Sequence, residues 1–239
     1  MKWINIKLLS LFSIAFSLSA FSQTADEIVN KHINAIGGAE AWKNVKSIRQ
    51  EGNMQVQGTD VAIVLTAVNG KGSRQDITLT SMGMSGYQII TPSEGWNYMP
   101  FNGQQSPEAM TPDDLAQAQD ELDTQGSLVD YKTKGHTVEY LGKEDVDGTE
   151  AYKLKVALKG GKIQTLFIDP ETFYIIRATV KQKVNGQEIE QSTDLSNYEK
   201  LPEGIVVPKT ITLPFGDLNI TKVEVNGSVD ESIFKKPDQ

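Results

Sequence analysis

Between Thr137 and Tyr198 the chain alternates apolar and polar residues in short runs, and a turn signal cuts each run. The alternation predicts strands at Thr137–Lys143, Ala151–Leu158, Ile163–Ile168, Tyr174–Lys183 and Ile189–Tyr198. Asp147-Gly148, Gly160-Gly161, Asp169-Pro170 and Asn185-Gly186 stand between them. Asn-Gly and Asp-Gly supply the positive φ of two-residue hairpins, and Asp-Pro presets a type I turn. No helical period interrupts the run, so neighbouring strands are expected to be antiparallel. Tyr152, Leu154, Val156 and Leu158 alternate with Lys153, Lys155 and Ala157, the pattern of a sheet with one wet face. A meander this long must close on itself, stack on another sheet or wrap around something apolar.

The rest of the chain extends the same design. Strands are expected at Ser47–Gln57, Val61–Val68, Arg74–Thr80, Tyr87–Thr91 and Gly95–Met99, and again at Val206–Leu213 and Leu218–Val225. Val61–Val68 is apolar on both faces, so alternation leaves open which face points inward. Thr24–Ala35 has helical period, with Thr24 and Glu27 at capping-box spacing and Gly37-Gly38 as its end. A short turn at Ala39–Lys43 carries Trp42 toward the same core. Pro112–Asp123 forms a second, weakly apolar helix with Thr111 as its cap and Leu115, Ala118 and Leu122 on one stripe. A helix so short and polar must lie on something, and its place between two sets of strands suits a cover over a concave face. Ile233 and Phe234 are expected to pin the end of the chain.

The first 22 residues read as a cleaved secretory signal: Lys2 and Lys7, an apolar Leu8–Leu18, then Ala20-Phe21-Ser22 before Gln23. Residues 23–239 then form a single domain in the periplasm. There is no cysteine, which excludes disulfides, a thiolate metal site and an acylated N-terminal cysteine. The net charge is −8, and loss of Lys2 and Lys7 makes it more acidic still. Nucleic acid is therefore not an expected partner.

No catalytic constellation stands out. His32 and His136 are the only histidines, without metal or triad spacing. Met82-Gly83-Met84-Ser85-Gly86 lacks the frame of a nucleophile elbow, and the acids near Asp113 and Asp120 read as a solvated helix face. The expectation is a protein without catalysis, metal or cofactor. What remains is an exported, acidic, antiparallel β protein that holds apolar cargo. The candidate lining is Met54, Val56, Ile63, Leu65, Met82, Met84, Ile89, Trp96 and Tyr98, with Leu115 and Leu122 covering it.

Several motifs resemble those of the LolA/LolB-type periplasmic lipoprotein-sorting carriers. Gly95-Trp96-Asn97-Tyr98-Met99-Pro100 is similar to the family's Trp-Tyr-Pro hairpin strand, and Phe167-Ile168-Asp169-Pro170-Glu171-Thr172 to its Asp-x-x-Thr turn, followed by Ile176-Arg177. Asp230-Glu231-Ser232-Ile233-Phe234 resembles its closing Asp-x-x-Phe end. Gly72-Ser73-Arg74 resembles the strand whose arginine latches a helical lid, although Gln75 stands where the family has proline. The resemblance implies an incomplete, strongly bent antiparallel β-barrel with helices over its open side, and Arg74 as lid latch. It further implies a monomeric carrier and chaperone of lipoprotein acyl chains, loaded by an inner-membrane ABC transporter and unloaded at an outer-membrane acceptor. Carriage of another lipid or apolar small molecule, and a non-catalytic envelope interaction domain, are the alternatives.

Overall fold

The structure is a computed structural model that describes residues 25–184 and 187–236. The expected signal segment, Thr24 and the expected Asn185-Gly186 turn lie outside the described residues. Thirteen antiparallel strands form one sheet: β1 Ser47–Val56, β2 Thr59–Val68, β3 Gly72–Leu79, β4 Met84–Ile90, β5 Gly95–Tyr98, β6 Glu108–Ala109, β7 Thr137–Val146, β8 Thr149–Ala157, β9 Ile163–Ile168, β10 Ile175–Val184, β11 Gln187–Lys200, β12 Val206–Leu213 and β13 Gly216–Val225. Every expected strand is present. Seven of the twelve run longer, by one to four residues, because tight turns let pairing continue to the hairpin tips. Gln57 and Gly58 both have positive φ, so Val56 pairs Thr59 directly across a two-residue turn.

The strand order is that of a ring cut open. β1 to β6 form one meander and β7 to β13 another, and β1 pairs with β13 to join them. Ile48 lies opposite Val225 and Asn53 opposite Asn219. The free edges are β6 and β7, consecutive in the chain, so the segment between them starts at one edge of the gap and ends at the other. That segment contains α3 (Pro112–Ala118) and a 3-10 turn at Gln119–Leu122. The expected helix Pro112–Asp123 is therefore split. Thr111 caps α3 as expected, its Oγ1 accepting the Asp114 N–H at 3.2 Å. The last turn then tightens to the 3-10 form, as helix ends often do.

Helix α1 (residues 25–35) and α2 (Ala39–Lys43) lie on one face of the sheet. Ile28, Val29 and Ile33 of α1 pack on Leu154, Val156, Leu166 and Ile168, and so fill the β8–β9 half. α1 ends at Gly37, where φ is +111° and a Cβ would sit 2.2 Å from the Gly204 carbonyl oxygen, so only glycine fits. α2 and Val45 pack with Leu201, Ile205 and Val207. Asn226 fastens the β1–β13 junction: its Oδ1 accepts the Lys46 N–H at 2.7 Å and its Nδ2 donates to the Asn44 carbonyl at 2.9 Å.

The opposite face is mostly polar but carries the end of the chain. Phe234 lies flat on Gly72, where a Cβ would meet its ring at 2.5 Å. Lys71 and Glu231 pair at 2.5 Å beside it, and Asp230 Oδ1 accepts the Ser232 N–H. Phe234 is only 4% exposed. Phe234→Ala is expected to cost about 3 kcal/mol, the scale of a buried aromatic truncation, measured by urea unfolding. It should also open residues 228–236 to protease before the sheet unfolds.

Candidate functional site

The inner face, defined by the helices, is filled unevenly. Register fixes which residues share it on the β1–β5 half. Ile48, Ala67, Ser73, Ile90 and Gly95 form one row across β1 to β5. Gln50, Leu65, Gln75, Gln88 and Asn97 form the next. Gly52, Ile63, Ile77 and Gly86 form the third, and Met54, Val61, Leu79 and Met84 the fourth. Successive rows stand roughly 7 Å apart, two residues of strand rise.

The cover segment sits on the first row. Leu115, Ala118 and Leu122 pack with Met110 against Ile90, and Met110 and Leu115 lie over Gly95. Gln119 Nε2 donates to the Thr91 carbonyl at 3.1 Å, and the Gly70 N–H donates to the Leu122 carbonyl at 2.8 Å. Across the gap, Lys162 on the β8–β9 turn donates to Asp120 at 2.7 and 3.0 Å. Lys134 holds Asp123 at 2.6 Å. These side chains are only about a fifth to a quarter exposed (20% and 28%, 21% and 24%), so both pairs are screened less than surface pairs. The segment is thus a strap tied to both edges of the open ring.

Two cavities meet beneath the strap. One, of about 960 Å³, is lined by Leu122, Gln125, His136, Leu158, Gln164 and Ile175 among others. The other, of about 320 Å³, reaches inward past His32, Trp42, Ile48, Gln50, Leu65 and Tyr198. They share the loop from Asp123 to Ser127 and Ile175. Beyond the amide-bearing second row, the third and fourth rows continue as an apolar surface with Leu218, Ile220, Ile211 and Leu213. Ile63, Ile77, Leu79, Val56 and Leu213 are only half-buried, because α1 occupies the other half of the face. This surface runs to the end of the sheet where the hairpin tips carry Met82, 62% exposed, and Phe215, 54% exposed.

The expected lining is thereby sorted. Met54, Val56, Ile63, Leu65 and Met84 share the inner face, which also decides the orientation of β2. Ile89, Trp96 and Tyr98 fall on the opposite face: Ile89 pairs with Arg74 and Trp96, one residue out of step with the inner rows. Ile89 is fully buried on that outer side, where Lys236 lies 4.6 Å from the Trp96 ring. Met82 is at an exposed tip rather than in the lining. Arg74 does not reach the strap. Its guanidinium pairs with Asp76 at 2.7 Å, donates to the Ile233 carbonyl at 3.2 Å and stacks over Tyr87 at 4.9 Å. It fastens the C-terminal segment on the outer face; the ties on the strap come from Lys162 and Lys134 instead. Sequence reasoning missed Ile77, Leu79, Leu218 and Ile220, although their alternation is as regular as that of β8.

Both histidines are engaged with backbone. His32 Nδ1–H donates to the Phe173 carbonyl at 2.8 Å, and His136 Nδ1 accepts the Lys159 N–H at 3.0 Å. Burial holds the His32 pKa below its ordinary value of 6.5. Among the described residues, no group of three or more His, Asp or Glu side chains could hold a metal ion.

No family model and no curated protein matches the sequence. Solved structures do match the fold. A DUF1329 family protein from Desulfovibrio piger is 13% identical, with a TM-score of 0.54 over 88% of this chain and 97% of that one. An outer-membrane lipoprotein-sorting protein domain from Vibrio parahaemolyticus is 12% identical, with a TM-score of 0.55 over 90% and 97%. A LolA superfamily protein from Nitrosomonas europaea is 14% identical, with a TM-score of 0.55 over 89% and 97%. The architecture is thus an open, curved antiparallel sheet of the LolA-like fold. At such identities the likeness is one of fold.

Because the folded state resists protonation of His32, its share of stability is complete above about pH 6.5 and is lost as the pH falls below that. The melting temperature of the wild type should therefore drop more steeply between pH 7.5 and 5.5 than that of His32→Gln. Parallel slopes would contradict the buried neutral imidazole.

Proposed function

We propose that this protein is a non-catalytic carrier that shelters acyl chains on the inner face of its open sheet. The observation that carries this reading is the uneven filling of that face. One half is plugged by α1, whereas the other keeps a contiguous apolar surface, buried at Met54, Val61, Leu218 and Ile220 and half-buried around them, next to a strapped cavity. A sheet stabilised only by its own core would cover that surface. Each methylene transferred onto it from water gains about 0.8 kcal/mol, so a single chain can be held without a polar motif. The strap lets chains enter between β6 and β7 when Lys162 and Asp120 part.

The likeness of fold to lipoprotein-sorting proteins supports lipoprotein acyl chains as cargo. In this reading the signal segment is cleaved before Gln23 and the monomer works in the periplasm. It takes its cargo from an inner-membrane transporter and delivers it to an outer-membrane acceptor.

Neighbouring residues on one strand test the reading. Ile77 faces inward and Thr78 outward, where its hydroxyl is 2.9 Å from that of Ser85. Ile77→Glu places an unpaired charge in the apolar surface, at a cost of several kcal/mol if cargo buries it. It should abolish binding of N-phenyl-1-naphthylamine, an uncharged apolar dye, and Thr78→Glu should leave binding intact. Dye binding that is absent in the wild type, or that survives Ile77→Glu in folded protein, would overturn the carrier reading. Lys162→Glu should speed dye entry several-fold in stopped flow without lowering the amount bound.

A further inference from the structure

The second row of the inner face is unlike its neighbours. Gln50, Gln75 and Gln88 stand in line across β1, β3 and β4, with Asn97 beside Gln88 on β5. Leu65 is the one apolar residue between them. All four amides are half-buried, and none has a side-chain hydrogen bond among the described residues. The row is bounded on one side by the buried Ile48, Ala67 and Ile90, the last under the strap, and on the other by the apolar Ile63 and Ile77. None of these amide atoms is sealed from solvent, so water satisfies them while the face is empty and their donors and acceptors stay available to a ligand.

Resting on the carrier reading, we infer that this row binds the polar head of an amphiphile, and that the head is neutral: an ester, amide or hydroxyl group carrying an acyl chain. Each amide offers both an N–H donor and a carbonyl acceptor, which together match an ester carbonyl and its neighbouring hydroxyls. The row itself holds no charge. Lys209 on β12, beyond β13 from the row, already faces Glu199 at 3.7 Å. A carboxylate or phosphate head would lose its water here without gaining a counter-charge, whereas a neutral head loses far less. With the head on the second row, the acyl chain lies over Ile63 and Ile77, then over Val61 and Leu79, toward the exposed tips at Met82 and Phe215. Gln75, which stands where the family resembled has proline, is at the centre of the row.

The test compares two ligands with the same chain, 1-monomyristoylglycerol and myristate at pH 8, by displacement of N-phenyl-1-naphthylamine. The wild type should bind the monoacylglycerol about tenfold more tightly, the worth of one or two neutral hydrogen bonds. In the Gln50→Leu/Gln75→Leu/Gln88→Leu variant that preference should vanish while the protein still binds the dye. If the triple variant aggregates, Gln75→Leu alone carries the test and should remove part of the preference. Equal affinity for the two ligands in the wild type, a preference for myristate, or a preference that survives the substitutions would overturn the inference. These outcomes are distinct from failure of the carrier reading, in which the dye does not bind at all.

Discussion

Pairing of β1 with β13 is the contact on which everything else depends. It joins residues about 180 positions apart, as in Ile48 with Val225, and it turns two separate meanders into one nearly closed sheet. Contacts of that sequence separation are costly in loop entropy and slow the folding of sheets built on them. Asn226 secures the junction by bonding to Asn44 and Lys46 at the point where the chain enters β1. Without this seam β1 and β13 would be free edges as well, and β6 and β7 would no longer bound a single gap for the strap to cross. The opening of the sheet is therefore set by topology and not by any local defect.

That topology divides the work between the two halves. α1 and α2 supply the apolar mass that covers β7–β12, and they leave inner residues of the β1–β4 side such as Ile63, Ile77 and Leu79 half-buried. The strap adds a cover over the first row only, through Leu115, Ala118 and Leu122. Its tie across the gap, Lys162 to Asp120, is ionic and partly exposed, so it can break at a cost of about a few kcal/mol or less while the apolar core beneath α1 stays intact. A rigid frame with one loosely held segment is what reversible uptake of a chain requires.

Much of this was legible in the sequence because strands advertise themselves twice, by alternation and by turn chemistry. Thr137–Tyr198 carried both signals, and its strands fall where they were expected. The faces were harder to read. Ile89, Trp96 and Tyr98 were expected inside with Met54 and Ile63, but the register of β3 with β4 sets them on the other side, and a one-residue offset is invisible without the pairing. The C-terminal segment gave a second reason for misreading them, since Phe234 and Arg74 bury an outer patch that looks like core in the sequence. The strap ties were illegible for a different cause: Lys162 and Asp120 are far apart in the chain and meet only once the ring has closed. The amide row was equally hidden, because Gln50, Gln75 and Gln88 are unremarkable until register aligns them.

The central claim is that the open half of the inner face is a site for a chain and not an imperfect core. The most direct measurement is a crystal structure of the protein purified from its native host without delipidation, with mass spectrometry of the same sample. The account predicts continuous elongated density over Ile63, Ile77 and Leu218, and an acylated molecule in the mass spectrum. Side chains collapsed into that space, with no acyl species recovered, would contradict it.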